Sequence, residues 1–367
     1  MINNRNIISI LILIILLTGC SDQRILEKVG FTHSVAYDLG SEGQLKSAIS
    51  VPVSNPDIKT NRIFLKTESK SSKGGRINLN KQTSLTLVSG QLRLALFGQS
   101  IASKEGLRNN LDTLMRDPSI GDRINIIIVN GDAGNLLEKN FKQFPPTGKY
   151  IDRLIHKESA GQSIPNTTLY TFTRDYYDDG IDPIAPMIKD AGESIRVDGV
   201  ALFKDDKVVG KIKPQDLMIF AFLRGNLQQG ELDFDLSNDT QESQSLTLTA
   251  ISSKKKVHVT YDDNQMKVMI HVNVLASATE YIGELKLSDN ADRRKLEQEI
   301  SEITTQRAQQ VIKYLQEKKA DSLGIGTYVR NSMPYSNWSK LNWHDQYPLV
   351  NIECHMHIKI TDYGFLR

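Results

Sequence analysis

The chain is poor in cysteine: Cys20 and Cys354 are the two in 367 residues. A disulfide framework is therefore excluded, since two cysteines allow one bridge at most. An excess of one charge is also lacking, with 45 Lys and Arg against 43 Asp and Glu, a formal net charge of +2. That balance provides no broad field to gather nucleic acid. After Leu17 no apolar run approaches the 18 residues a membrane span needs. Local catalytic signatures are missing as well. The sequence has no Gly-x-Ser-x-Gly turn, no His-Glu-x-x-His, no Cys-x-x-Cys, no phosphate loop and no dinucleotide fingerprint. These absences argue against an enzyme, so no catalytic residue, metal or cofactor is assigned.

What is present starts at the amino terminus. Ile7–Leu17 is eleven residues, apolar except for Ser9, and Arg5 is the one charged side chain before Cys20. As a helix this run reaches about 16 Å, against a hydrocarbon core of about 30 Å. It reads as the apolar region of a secretory signal rather than a span. Leu17-Thr18-Gly19-Cys20 resembles a bacterial lipobox. The resemblance implies cleavage between Gly19 and Cys20, diacylglycerol on the Cys20 sulfur and acylation of the new amino group. Each buried methylene contributes about 0.8 kcal/mol and one chain alone anchors marginally, so two or three chains on Cys20 should hold the mature protein to the outer leaflet. A lipidated Cys20 leaves Cys354 unpaired. Its place between Ile352 and Met356 suits a small buried hydrophobe.

Residues 20–195 read as an N-terminal mixed α/β domain. Leu45–Val53 has strand character, whereas Thr67–Arg76, rich in Ser, Lys and Gly, predicts a mobile loop. Leu92–Phe97 is a short apolar strand, followed by a helix that Ser100 would cap and a second over Leu107–Met115. Ile124–Val129 is nearly all β-branched and predicts a strand buried on both faces. Asn130-Gly131-Asp132 turns the chain into a helix over Ala133–Phe141. Strand, helix, strand, helix at this spacing indicates an α/β layer. A nucleotide site would want a Gly-rich turn at Gly98-Gln99-Ser100, and there is none. Helix faces follow at Tyr150–Ile155 and over Asn166–Tyr177. Asp175, Asp178, Asp179 and Asp182 gather near Gly180 without the spacing of a calcium loop, and read as a solvated turn. Pro183 and Pro186 make Ile184–Glu193 the boundary between halves.

Residues 196–367 read as an α+β domain, an antiparallel sheet covered by one long helix. A hairpin of Val200–Phe203 and Lys207–Gly210 opens it, followed by strands at Leu246–Ile251, Val257–Tyr261 and Met266–Ala278. Lys254-Lys255-Lys256 reads as a solvated strand edge or turn, with a weak suggestion of lipid headgroups. Residues 289–319 contain no Gly or Pro and carry one apolar stripe, Leu296, Ile300, Ile303, Val311, Ile312 and Leu315. The opposite side has Arg293, Lys295, Glu299, Glu302, Gln306 and Gln309. This helix, about 46 Å long, is expected to lie across the sheet. Trp338 and Trp343 have two readings, burial at a sheet corner or a surface anchor for a partner. In the last strand, Leu349–Thr361, His355 and His357 share the outward face with Glu353. Zinc would need a third firm ligand, which the sequence does not supply.

Four stretches together resemble the C-subunit lipoproteins of spore nutrient germinant receptors, the GerAC-like family. They are the lipobox with Asp22-Gln23-Arg24, and Gln91–Ile120 with Phe97-Gly98, Glu105-Gly106-Leu107 and Leu114-Met115-Arg116-Asp117-Pro118. The third is Asp198-Gly199-Val200-Ala201-Leu202-Phe203 with Val209-Gly210. The fourth runs from Glu302 through Leu315-Gln316, Asp321 and Gly324-Ile325-Gly326 to Trp338, Trp343 and the closing strand with Gly364. The resemblance implies a non-catalytic subunit required for germination. It would be anchored through Cys20 in the spore inner membrane beside two integral-membrane subunits that respond to amino acids or nucleosides. Two other readings share the anchor: the solute-binding lipoprotein of an importer, which would need two doubly wound lobes around a cleft, and a tethered spore hydrolase.

Overall fold

A computed structural model describes residues 28–53, 61–236, 244–262 and 265–364. In chain order the elements begin with β1 (Val29–Phe31), β2 (Ser34–Leu39), β3 (Leu45–Pro52), β4 (Arg62–Ser69), α1 (Ser72–Asn80), β5 (Thr86–Val88) and β6 (Leu94–Gly98). There follow α2 (Gln99–Lys104), α3 (Arg108–Met115), β7 (Asn125–Val129), α4 (Ala133–Glu138), α5 (Thr147–Ala160) and α6 (Leu169–Tyr177). Next come β8 (Ile184–Asp190), β9 (Ile195–Lys204), β10 (Lys207–Ile212), α7 (Leu217–Arg224), β11 (Leu232–Asp235), β12 (Ser245–Asp262) and β13 (Gln265–Ile282). The chain ends with α8 (Asn290–Glu317), α9 (Ile325–Asn331), α10 (Tyr335–Trp338), α11 (Trp343–Gln346) and β14 (Asn351–Asp362). The fold is mixed α and β. No helix among the described residues is long and apolar enough to cross a membrane.

Eight strands form the first sheet in the order β10-β9-β8-β7-β6-β2-β3-β4. Its centre, β8-β7-β6-β2, is parallel, and antiparallel pairs flank it on both sides. The centre is covered on both faces. Ile126 and Ile128 of β7 face a core with Leu111 of α3 and Phe172 of α6, whereas Ile127 and Val129 face Leu136 of α4 and Ile151 of α5. This is why the stretch carries no polar alternation.

The hairpin β9-β10 completes an edge of this first sheet and does not start the second. The reason lies in β8, whose prolines mimic a linker. Pro186 pairs with Val200 of β9, but β8 meets β7 only from Met187 on, so Pro186 removes no N–H needed on that side. The loop expected at Thr67–Arg76 is instead the end of β4 and the first half of α1. Ser71 caps this helix by accepting the Gly74 N–H at 3.2 Å. Gly75 lets it settle on the sheet, since a Cβ there would stand 3.0 Å from the hydroxyls of Ser47 and Ser69. Tertiary contact overrides a weak local propensity here.

The second sheet has the order β11-β12-β13-β14. Its first two pairings are antiparallel, but β13 and β14 run parallel. The expected all-antiparallel sheet is corrected on that point: α8 carries the chain back to the starting end, as a parallel pairing requires. The strands expected at Leu246–Ile251 and Val257–Tyr261 are one continuous β12. A register shift between Thr249 and Ser252, with Ala250 at φ +49°, marks the irregularity inside it. Lys254–Lys256 is thus mid-strand.

One core joins the sheets. It runs from Leu96, Ile127 and Leu202 of the first sheet through Ile219 and Phe222 of α7 to Ile270, Val272 and Ile358 of the second, and takes in Leu296, Ile300 and Ile312 of α8.

Candidate functional site: the acidic junction between the sheets

The aspartates near Gly180 are not a solvated turn. They form one side of a junction whose other side is α9 to α11. Asp178 receives the Arg330 guanidinium at 2.9 and 3.1 Å, and Asp179 binds the same group. Trp338 donates its indole N–H to Asp179 at 2.6 Å, and the Arg330 guanidinium lies 5.9 Å from the Trp338 ring centroid. Burial pushes the Asp178 carboxyl up, but hydrogen bonds from Arg330 and Gly180 outweigh it and hold it below its ordinary value.

Deeper in, Asp182 and Asp321 clasp each other through the backbone. The Asp321 N–H donates to the Asp182 carboxylate at 2.6 Å, and the Asp182 N–H donates to the Asp321 carbonyl at 3.0 Å. The Asp321 carboxylate accepts the N–H groups of Ile325 and Gly326, at 2.9 and 2.7 Å, capping α9. It also accepts the Trp343 indole N–H at 2.9 Å. Burial pushes Asp321 up to about 7 despite those bonds, and Asp182 up to about 6. The backbones touch here: the Thr327 N–H donates to the Gly180 carbonyl at 3.1 Å, and a Cβ on Gly326 would lie 2.8 Å from the Gly180 Cα. Glycine is required on both sides of that approach.

A third layer is cationic. Asp175, buried on α6, binds Arg174 at 2.6 Å and Arg224 of α7 at 3.4 Å. Lys255 of β12 donates to the carbonyls of Leu223 and Arg224, at 3.0 and 2.9 Å, satisfying the carboxyl end of α7. Its ammonium sits 5.1 Å from the Tyr328 ring centroid, and burial brings its pKa down to about 8. Lys255 is therefore a half-buried cap, not part of a solvated lysine run. Inside the junction the Arg224 Nη1, Ser322 Oγ and Tyr347 OH atoms are buried without a hydrogen-bond partner among the described residues.

Chemically this arrangement holds two bodies together. The acids bind guanidinium, indole and backbone N–H groups, not a cleft. Among the described residues no group of three or more His, Cys, Asp or Glu is placed to hold a metal ion. The crevice at the carboxyl ends of β2, β6 and β7, where parallel sheets commonly take a ligand, is filled by the chain itself. Asp38 accepts the N–H groups of Ala133 and Gly134 at 2.8 and 2.7 Å, and burial pushes its carboxyl up to about 6. A Cβ on Gly98 would stand 1.9 Å from that carboxylate. The backbone donors that would greet a phosphate are already taken.

Of the residues singled out in the sequence, Gly19 and Cys20 lie outside the described residues. Trp338 and Trp343 are 2% and 3% exposed, with indole N–H groups bound to Asp179 and Asp321. The structure puts both in the junction, where they cannot serve as surface anchors. Cys354 is buried and its thiol is pushed up to about 12 by burial. His355 and His357 are exposed on the outward face; His355 stacks on His271 at 5.5 Å, and Glu353 pairs with Lys267 at 2.8 Å. Sequence reasoning missed Asp38, Arg224, Asp321 and Arg330 as site residues. Asp321 carried no capping signal, because it stands four residues before Ile325 and the cap position itself is Gly324.

Two family descriptions match the chain nearly end to end. "Spore germination protein N-terminal domain" matches residues 22–190, and "Spore germination B3/GerAC like, C-terminal" matches 198–364. The chain belongs to the GerAC-like spore germination family. The spore germination protein GerQC of Bacillus cereus is 28% identical over 96% of this chain and 97% of its own length. The putative spore germination protein YfkR of Bacillus subtilis is 22% identical over 94% of each. The crystal structure of the GerBC protein shares the fold at a TM-score of 0.56, 16% identity, covering 92% of this chain and all of that one. For this GerAC-like chain the two-lobed importer fold is set aside: among the described residues one wide sheet and one smaller sheet share a core, and they are not two doubly wound lobes.

Proposed function

We propose that this chain is the membrane-tethered, non-catalytic subunit of a nutrient germinant receptor. The family match over both halves carries the reading. A diacylglycerol-modified Cys20 is the tether, and two integral-membrane subunits of the spore inner membrane are the partners. From Cys20 to Lys28 is eight residues, which fully extended span at most about 29 Å. The folded body is then confined to a thin layer above the bilayer, where docking onto a membrane partner is effectively intramolecular. A surface of modest affinity suffices to hold such a complex. The junction contributes rigidity: with Asp182–Asp321 and Arg330–Asp178 closed, both sheets present their surfaces in fixed relation. The acids of the junction are engaged with the chain itself, and His355 and His357 are exposed on a sheet face, which favours a binding body over a hydrolase.

Crosslinking in intact spore membranes tests the reading. Integral-membrane germination proteins should be recovered bound to this chain. Recovery of importer permeases, or turnover of peptidoglycan by the purified chain, would contradict it.

A further inference from the structure

Among the described residues, the second sheet is covered on one face only. On the other, three strands present a grid whose rows follow the register. Ser252, Leu275 and Lys359 make one row, Lys254, Asn273 and His357 the next, then Lys256, His271 and His355, and then His258, Met269 and Glu353. Lys254, Lys256, His258, His355, His357 and Lys359 are exposed. At strand spacings this grid is about 10 Å across its three strands and about 20 Å along them. One acid stands in it, Glu353, and Lys267 neutralises it. The nearest acids of α8 are occupied: Glu297 accepts the Ile360 N–H at 2.8 Å, and Glu302 accepts from Gln298 at 2.9 Å. Asp233 and Glu280 stand at Thr247, toward the start of β12. Lys254, Lys256 and Lys359 have no ion-pair partner among the described residues. Leu275, 46% exposed, stands next to Lys359 as an aliphatic side chain in the midst of the charges.

We infer that this face of β12, β13 and β14 is a second membrane contact, which rests on a bilayer of anionic phospholipid. Three features select that occupant. The charges are spread over a plane rather than gathered in a pocket, so they match an array of headgroups better than one small anion. The chain's overall charge of +2 supplies no wider field for nucleic acid, and the attraction is local, as for juxtamembrane basic clusters. An exposed leucine among lysines can enter the headgroup layer while the ammonium groups stay at its surface. The inference rests on the tether proposed above, because the tether brings the face within reach of the bilayer.

The experiment uses the full acylated chain reconstituted into vesicles of phosphatidylcholine alone or of phosphatidylcholine with phosphatidylglycerol. Amine-reactive labelling is read lysine by lysine by mass spectrometry, with the exposed Lys73 and Lys81 of the first domain as references. Lys254, Lys256 and Lys359 should label several-fold more slowly in the anionic vesicles, high salt should erase the difference, and the references should not change. In K256Q the remaining reporters Lys254 and Lys359 should lose protection, since each lysine charge removed weakens the contact about fivefold. Equal labelling in both vesicles would overturn the inference, as would protection that requires an acidic protein partner instead of anionic lipid. A chain that fails to stay with either vesicle would instead refute the tether, so the two failures are distinguishable.

Discussion

At the scale of single residues, Asp321 governs the junction. Its folded pKa, about 7, lies above the ordinary carboxylate value of 3.8 because it is buried. The folded state therefore binds more protons than the unfolded state between those values, and stability falls as pH rises through that window. Asp182 acts in the same direction up to about 6. Thermal unfolding of the wild type should thus show a lower midpoint at pH 8 than at pH 5, and Asp321→Asn should flatten that slope; an unchanged slope in the variant would refute the assignment. Gly326 is a steric companion. Gly326→Ala sets a methyl 2.8 Å from the Gly180 Cα and 2.5 Å from the Trp343 Nε1 atom, so a loss of about 1–3 kcal/mol is expected. Denaturant titration measures it, and a loss below the error of the titration would show that the backbones separate easily.

At the scale of elements, α8 does more than cover a face. Its side chains run a ladder along the open edge of β14. The Ile360, Ile358, Met356 and Cys354 N–H groups donate to Glu297, Ser301, Thr305 and Gln309, at 2.8, 3.0, 3.0 and 3.2 Å. The helix steps four residues, about 6 Å, while the strand steps two, about 6.6 Å, so the rungs stay aligned. Gln309 also donates to the Ile352 carbonyl at 2.7 Å, and Gln316 to the Val350 carbonyl at 2.8 Å. Gln309 therefore belongs beside the strand and not on the solvent side where the sequence pattern put it. An edge strand left unpaired invites aggregation. Thr305→Val keeps the shape and removes the acceptor, so it should cost about 1–3 kcal/mol and raise aggregation on heating. Light scattering during a thermal ramp checks the second effect, and unchanged scattering would argue that the ladder is incidental.

These elements also show what the sequence could and could not reveal. The β-branched run of β7 and the apolar stripe of α8 were legible because periodicity depends on neighbours in the chain. The ladder was not, because polar residues flanking a stripe do not state what they meet. The acids around Gly180 read as solvated for the same reason: Arg330 is 152 positions from Asp178, and Trp338 is 159 from Asp179. The parallel direction of β14 was hidden too, since alternation carries no sense of direction.

At the scale of the whole molecule, the two larger sheets share one core and a junction closed by buried acids. They should unfold together. Calorimetry of the chain should give one transition with equal calorimetric and van't Hoff enthalpies; two resolved transitions would mean that the sheets are separate bodies. A single rigid body suits a subunit that acts by position. It presents fixed surfaces, and under the proposed function an acylated Cys20 would set how near the membrane they stand.

That dependence on location is tested most directly by Cys20→Ala in spores, with membrane fractions and the germination response measured side by side. The account predicts that the variant leaves the membrane fraction and that germination falls with it. A variant that remains with the membrane, still assembles with its partners and germinates normally would contradict it.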